Sequence, residues 1–179
     1  MPDSASIKRF ERLVMPHLDA AHNLARWLTR DAADADDVTQ EAILRALRFF
    51  HGFDGGEDAR PWLLAILRNT CLDWLRRNRP AAVVGDGEAV LDCLQSADDD
   101  PERAALRHDE SNRVDRAVAA LPVEFREVIV LREFESLSYK EIAGIIGAPM
   151  GTVMSRLARA RALLRRALGS TAAEGGHAV

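Results

Sequence analysis

The amino-acid sequence predicts an all-α protein of two small helical domains joined by a flexible acidic linker. Apolar residues recur at helical spacing in two blocks, and alanine, leucine and arginine, which favour helix, dominate the composition. Between the blocks, residues 81–100 lose this periodicity and contain glycines and a run of aspartates. The expected units are a first domain at 7–79, a linker at 80–101, a second domain at 102–168 and a disordered tail at 169–179.

Composition argues against an enzyme, a membrane protein and a disulfide-rich protein. No apolar run approaches the roughly 20 residues that span a bilayer, and residues 1–9 lack a signal-peptide pattern, so we expect a cytoplasmic protein. Cys71 and Cys93 are too few and too isolated for a disulfide framework or a zinc site, and Cys71 is expected to be a small buried hydrophobe. The five histidines show no ligand spacing, and neither a phosphate loop nor a nucleophile–base signature is present. The sequence therefore predicts a binding protein without a cofactor or metal.

The charge is unevenly distributed, although the net charge is only −4. Acidic residues concentrate at 31–41 and 86–110, and basic residues at 68–79 and 156–166. Such separated blocks indicate more than one kind of partner.

The first domain begins with a helix or helix pair that extends to about Arg30. We expect residues 31–34 to be a connection and Asp34 or Asp36 to cap the next helix, whose acidic first turn suits the helix dipole.

That next helix has two faces. The expected core stripe is formed by Val38, Ala42, Ala46 and Phe49. The opposite face is an apolar patch with acid and amide at its rim, made of Asp36, Gln40, Ile43, Leu44 and Leu47. A second apolar face is either covered by another helix or kept for a partner protein, and the residues alone leave both open.

A glycine-rich turn at 51–58 leads into the last helix of the first domain, in which Pro61 suits the first turn. Leu63, Leu67 and Trp74 form its expected core stripe. One strip of this helix combines an aromatic ring, an amide and charged groups, on Trp62, Ile66, Asn69, Asp73 and Arg76. Such a strip could stack on unpaired bases and hydrogen-bond to them. The alternative is that Trp62 is mostly buried and the polar residues are merely solvated.

The second domain ends in a helix-turn-helix. Pro101 is expected to open a helix that runs to Leu121, and Pro122 to start another. Ser138 and Glu141 then form a capping box, and Gly147 supplies the left-handed residue that ends this short helix.

In the second helix of that motif, Val153, Leu157, Ala160 and Leu164 share the core face. Met154, Ser155, Ala158 and Arg159 lie opposite, with Thr152, Arg156 and Arg161 on the flanks. Every charged residue from 151 to 168 is an arginine, so this face suits phosphates, and the helix suits the DNA major groove. Two ordinary packed helices with a solvated basic face are the alternative.

The segment GTVMSRLARAR at 151–161 resembles the recognition helix of sigma factors of the sigma-70 family, specifically the extracytoplasmic-function (ECF) group. The resemblance extends over most of residues 7–168. It includes the acidic D-x-x-D-x-x-Q-E pattern from Asp34 to Glu41, the helix WLLAILRNTCLDWLRR, and the segment LPVEFREVIVLREFESLSYKEIA.

The resemblance implies an alternative sigma factor that binds core RNA polymerase and promoter DNA and is held in check by an anti-sigma factor. It implies polymerase contacts by Asp34, Asp37, Gln40, Glu41 and Leu44. It implies contacts to the −10 element by Arg60, Trp62, Asn69, Arg76 and Arg77. It implies contacts to the −35 element by Thr152, Met154, Ser155, Arg156, Arg159 and Arg161.

Two positions depart from the family pattern. The position of Met154 often carries Lys or Arg in relatives, and that of Ala158 often carries a larger polar or aromatic side chain. Two other functions stay open from the residues alone. One is a helix-turn-helix regulator that works without polymerase, and the other is a sigma mimic that titrates an anti-sigma factor without touching DNA.

Overall fold

The computed structural model describes residues 4–83 and 110–174, and within them it is all-helical, as predicted. The first domain contains four α-helices: α1 (Ser4–Val14), α2 (Leu18–Thr29), α3 (Ala32–Phe49) and α4 (Arg60–Asn78). Short 3-10 turns lie at Met15–His17, Phe50–Gly52 and Pro80–Ala82. Most of the predicted linker and Cys93 lie outside the described residues, as does the expected helix start at Pro101.

The turn between α2 and α3 is shorter than the sequence predicts. Arg30 adopts a left-handed conformation with φ of 60°, which ends α2 at once. Asp31 is the N-cap of α3, and its Oδ1 accepts a hydrogen bond from the Asp34 backbone N–H at 3.0 Å. The expectation that Asp34 or Asp36 caps this helix is therefore wrong, because Asp31 is an equally good cap and comes first.

The core stripe of α3 is formed by Ala35, Val38, Ala42 and Ala46. Phe49, predicted to join it, is 55% exposed, whereas Phe50 is buried. The change from α-helix to 3-10 turn at Phe50 turns the second phenylalanine inward. Its ring meets Phe10 edge-on and stacks beside Phe53, with centroids 5.2 Å and 5.7 Å away.

Helix α4 supplies the centre of the first domain. Its buried residues include Leu63, Leu64, Leu67 and Leu75. Cys71 is fully buried among them, as predicted, and desolvation raises the pKa of its thiol to about 12. Cys71 is therefore a packed, protonated side chain.

The second domain contains α5 (Glu110–Ala120), α6 (Val123–Ile129), a π-helical segment (Val130–Phe134), α7 (Tyr139–Ile146) and α8 (Met150–Glu174). Helix α6 follows Pro122, as predicted. Helix α8 continues to Glu174, so residues 169–174 are helical where the sequence predicts disorder. Ala172 and Ala173 favour helix, and neither a proline nor a pair of glycines interrupts residues 150–174. None of the described helices is both long and apolar enough to cross a membrane.

The two domains pack against each other, a contact that no signal in the sequence predicts. Helix α4 of the first domain contacts α7 of the second, and α2 contacts α6. The Trp27 and Phe134 rings meet across this interface with centroids 5.2 Å apart.

Candidate nucleic-acid and partner-protein surfaces

The helix-turn-helix is built as its sequence predicts. The Ser138 backbone N–H donates to Glu141 Oε2 at 2.7 Å, and the Glu141 N–H donates to Ser138 Oγ at 3.2 Å. These bonds from Ser138 lower the pKa of Glu141, so the carboxylate that completes the capping box is ionised at neutral pH. Gly147 has φ of 66° and ends α7 in the left-handed conformation.

Helix α8, the second helix of the motif, buries Val153, Leu157 and Ala160. The four side chains predicted to lie opposite the core are all exposed: Met154, Ser155, Ala158 and Arg159. Ser155 Oγ donates to the Thr152 carbonyl at 3.1 Å, and Arg159 has no hydrogen-bond or ion-pair partner among the described residues. The outer face of α8 is therefore open to a ligand.

Two of the residues predicted to contact DNA from α8 form ion pairs with acidic side chains of the same domain. Arg156 Nη1 lies 3.3 Å from Oε1 of the buried Glu127, and Arg161 Nη2 lies 2.6 Å from Glu133 Oε1. The hydrogen bond to Glu133 raises the pKa of Arg161. Both arginines fix α8 against the preceding helical segment.

The polar strip on α4 faces away from the core of the first domain. Asn69, Arg76 and Arg77 are exposed. Trp62 is half-buried, because its ring contacts Phe53 at 5.0 Å between centroids. Asp73 lies on the same strip, where it pairs with Arg76 at 3.4 Å.

Arg60, by contrast, lies on the other side of α4. One of its Nη atoms donates to Glu135 Oε2 at 2.6 Å and to the Glu135 backbone carbonyl at 2.8 Å. The structure thus separates Arg60 from the other four residues predicted to contact the −10 element.

The outward face of α3 carries three of the five predicted polymerase contacts. Asp37, Gln40 and Leu44 are exposed, and Leu44 is the most exposed large apolar side chain among the described residues, at 63%. The other two lie on the flank towards α4: Asp34 pairs with Arg79 at 3.0 Å, and Glu41 pairs with Arg45. We call Asp37, Gln40 and Leu44 the α3 patch.

Two ion pairs between the domains were not predicted from the sequence. Arg68 of α4 and Glu127 of α6 form an ion pair across the domain interface, and Glu135 pairs with Arg60 from the opposite domain. In the sequence these are ordinary charged residues in amphipathic helices, and no spacing rule links positions 59 or 75 residues apart.

Comparison with known protein families identifies the family of this chain. Residues 13–81 match the family model described as "Sigma-70 region 2", and residues 111–164 match that described as "Sigma-70, region 4".

This chain is an ECF-type sigma factor of the sigma-70 family.

The similarity of this sigma factor to known relatives extends over nearly its whole length. It is 35% identical to the RNA polymerase sigma-H factor of Pseudomonas aeruginosa, over 90% of this chain and 86% of that one. It is 38% identical to the ECF RNA polymerase sigma factor SigM of Mycobacterium tuberculosis, over 89% of this chain and 77% of the relative. Among solved structures, the fold resembles the sigma factor RpoE in complex with the anti-sigma factor NepR from Bartonella quintana. That match has a TM-score of 0.68 and 25% identity, over 90% of this chain and 98% of the other.

Proposed function

We propose that this sigma factor directs core RNA polymerase to a specific class of promoters, by binding and without catalysis of its own. The observation that carries the proposal is the exposure, in one chain, of a polymerase-docking patch and a helix-turn-helix reading face. We propose that it acts in the cytoplasm, where core polymerase and the chromosome are found.

The α3 patch is the proposed docking surface for core polymerase. Leu44 supplies apolar area that water covers in the free protein, and Asp37 and Gln40 supply the polar rim that a specific interface needs. Asp34 pairs with Arg79 at the end of α4, and Glu41 holds Arg45 of the same helix, which pairs with Asp73 of α4 at 3.4 Å. These contacts orient α3 on α4 and so hold the patch in shape.

The outer strip of α4 is the proposed surface for the −10 element. Asn69 offers an amide that can donate and accept hydrogen bonds to an unpaired base, and Trp62 offers an aromatic face nearby. Arg76 and Arg77 continue the strip with cationic groups for the phosphate backbone. We leave Arg60 out of this proposed surface, because it is bound to Glu135.

The outer face of α8 is the proposed surface for the −35 element. Arg159 is available for a bidentate contact to guanine, while Ser155 and Thr152 add hydroxyl groups. Arg156 and Arg161 are proposed to position α8 through Glu127 and Glu133 and not to read bases.

An anti-sigma factor is the proposed regulator. The solved relative described above is bound to an anti-sigma factor, and it aligns with most of this chain. This supports a protein inhibitor as the element that keeps the sigma factor inactive until a signal arrives.

Reconstituted transcription on a library of random upstream sequences tests the function. The purified chain with core polymerase should select one promoter class and start transcripts at a fixed distance from it. Core polymerase alone is the control. A free-standing regulator would bind selected DNA without polymerase, and a sigma mimic would yield no transcript although it bound an anti-sigma factor.

A further inference from the structure

The recognition helix carries an exposed apolar row that its polar contacts do not explain. Met150 and Met154 are 48% and 53% exposed, and Ala158, also exposed, continues the row at i, i+4 and i+8. Single exposed apolar residues are ordinary on protein surfaces. Here, however, three of them align along the first turns of the helix that enters the major groove, where base edges are met.

Few hydrogen-bonding groups remain on this part of α8. Arg156 and Arg161 are engaged by Glu127 and Glu133. The Ser155 hydroxyl already donates its proton to the Thr152 carbonyl and so can only accept from DNA. Arg159 is left as the strong donor, which is sufficient for about one base pair.

We propose that Met154, with Met150 and Ala158 beside it, recognises the C5-methyl group of thymine in the −35 element. This inference rests on the proposed promoter recognition and adds the chemical group that is read. The thymine methyl group is the apolar feature that base edges present in the major groove. The unbranched methionine side chain can adapt to it, and nearby Arg159 and Arg165 attract the phosphates on either side.

Replacement of thymine by deoxyuridine tests the contact, because it removes the methyl group and leaves every hydrogen-bonding group of the base unchanged. The probe is a promoter fragment selected by the holoenzyme, with each −35 thymine on either strand replaced in turn. At one or two positions, wild-type holoenzyme should lose about fourfold in affinity, the factor that corresponds to one buried methyl-sized group. Holoenzyme carrying Met154→Ala should bind the unmodified fragment more weakly and no longer respond to deoxyuridine there.

Two variants control this result. Met154→Leu keeps an apolar side chain and should retain the deoxyuridine effect, whereas Arg159→Ala should weaken binding yet leave the effect intact. The inference would be overturned if the −35 element contained no thymine, or if no replacement of thymine by deoxyuridine changed the affinity of the holoenzyme for the fragment. Either result would leave promoter recognition standing. Failure to bind the unmodified fragment would overturn promoter recognition itself, and the inference with it.

Discussion

Replacing Leu44 by alanine should weaken the binding of core polymerase without destabilising the free protein. Leu44 is 63% exposed on the outer face of α3 and has little packing to lose in the free state. Complete burial of a leucine side chain contributes about 1.5–3 kcal/mol relative to full exposure, so nearly two thirds of that, about 1–2 kcal/mol, is available on docking. Alanine retains only a small part of the apolar area. The dissociation constant should therefore rise by about five- to twentyfold.

The assay is equilibrium binding of labelled protein to core polymerase, with thermal unfolding of each variant measured alongside. Phe49 offers a matched control, because it is 55% exposed on the same helix but lies about 140° around the axis from Leu44. Phe49→Ala should change the affinity by less than about twofold, although it removes more apolar area. Equal losses for the two variants, or no loss for Leu44→Ala, would refute the assignment of the α3 patch.

Three further predictions concern helices α4, α7 and α8. Arg159→Ala should cost about 1–3 kcal/mol in closed-complex binding and relax the preference at one −35 position, as footprinting on single-base promoter variants would reveal; a uniform loss on all variants would instead indicate a phosphate contact. Asn69→Ala should leave recruitment nearly unchanged but reduce open-complex formation, measured by permanganate reactivity, and equal damage to both steps would count against the proposed strip. Ser138→Ala should lower the free energy of unfolding by about 1 kcal/mol through loss of the capping box, and an unchanged chemical denaturation midpoint would show that the cap contributes nothing.

Local signals in the sequence predicted the local structure well. The capping box at Ser138 and the left-handed Gly147 follow from side-chain and backbone chemistry within four residues, and both are present. The burial of Cys71 follows from its apolar helical surroundings in the same way. These features depend on neighbours along the chain, which the sequence displays directly.

The residues at which helices begin and end were harder to predict. Several aspartates at the start of α3 can serve as caps, and the choice of Asp31 depends on where Arg30 ends the previous helix. Phe49 and Phe50 differ by one position, and a change from α-helix to 3-10 turn decides which ring is buried. Helical periodicity predicts that Phe49 is the buried ring, because it assumes that the α-helix continues through Phe50.

In the candidate site too, local features were predicted and features that depend on tertiary packing were not. Periodicity placed Asn69 and Arg159 on exposed faces and left open whether the face with Leu44 is covered; all three side chains are exposed in the structure. It could not show that Arg60 and Arg156 are engaged by Glu135 and Glu127, because these pairs depend on tertiary packing. Long-range ion pairs leave no periodic trace in a sequence.

Promoter-directed run-off transcription tests the central claim most directly. Core polymerase supplied with this chain should produce a transcript of defined length from a selected promoter, and scrambling either the −10 or the −35 element should abolish that transcript. A holoenzyme that initiated equally well on the scrambled templates, or a chain that gave no transcript although it bound core polymerase, would contradict the account.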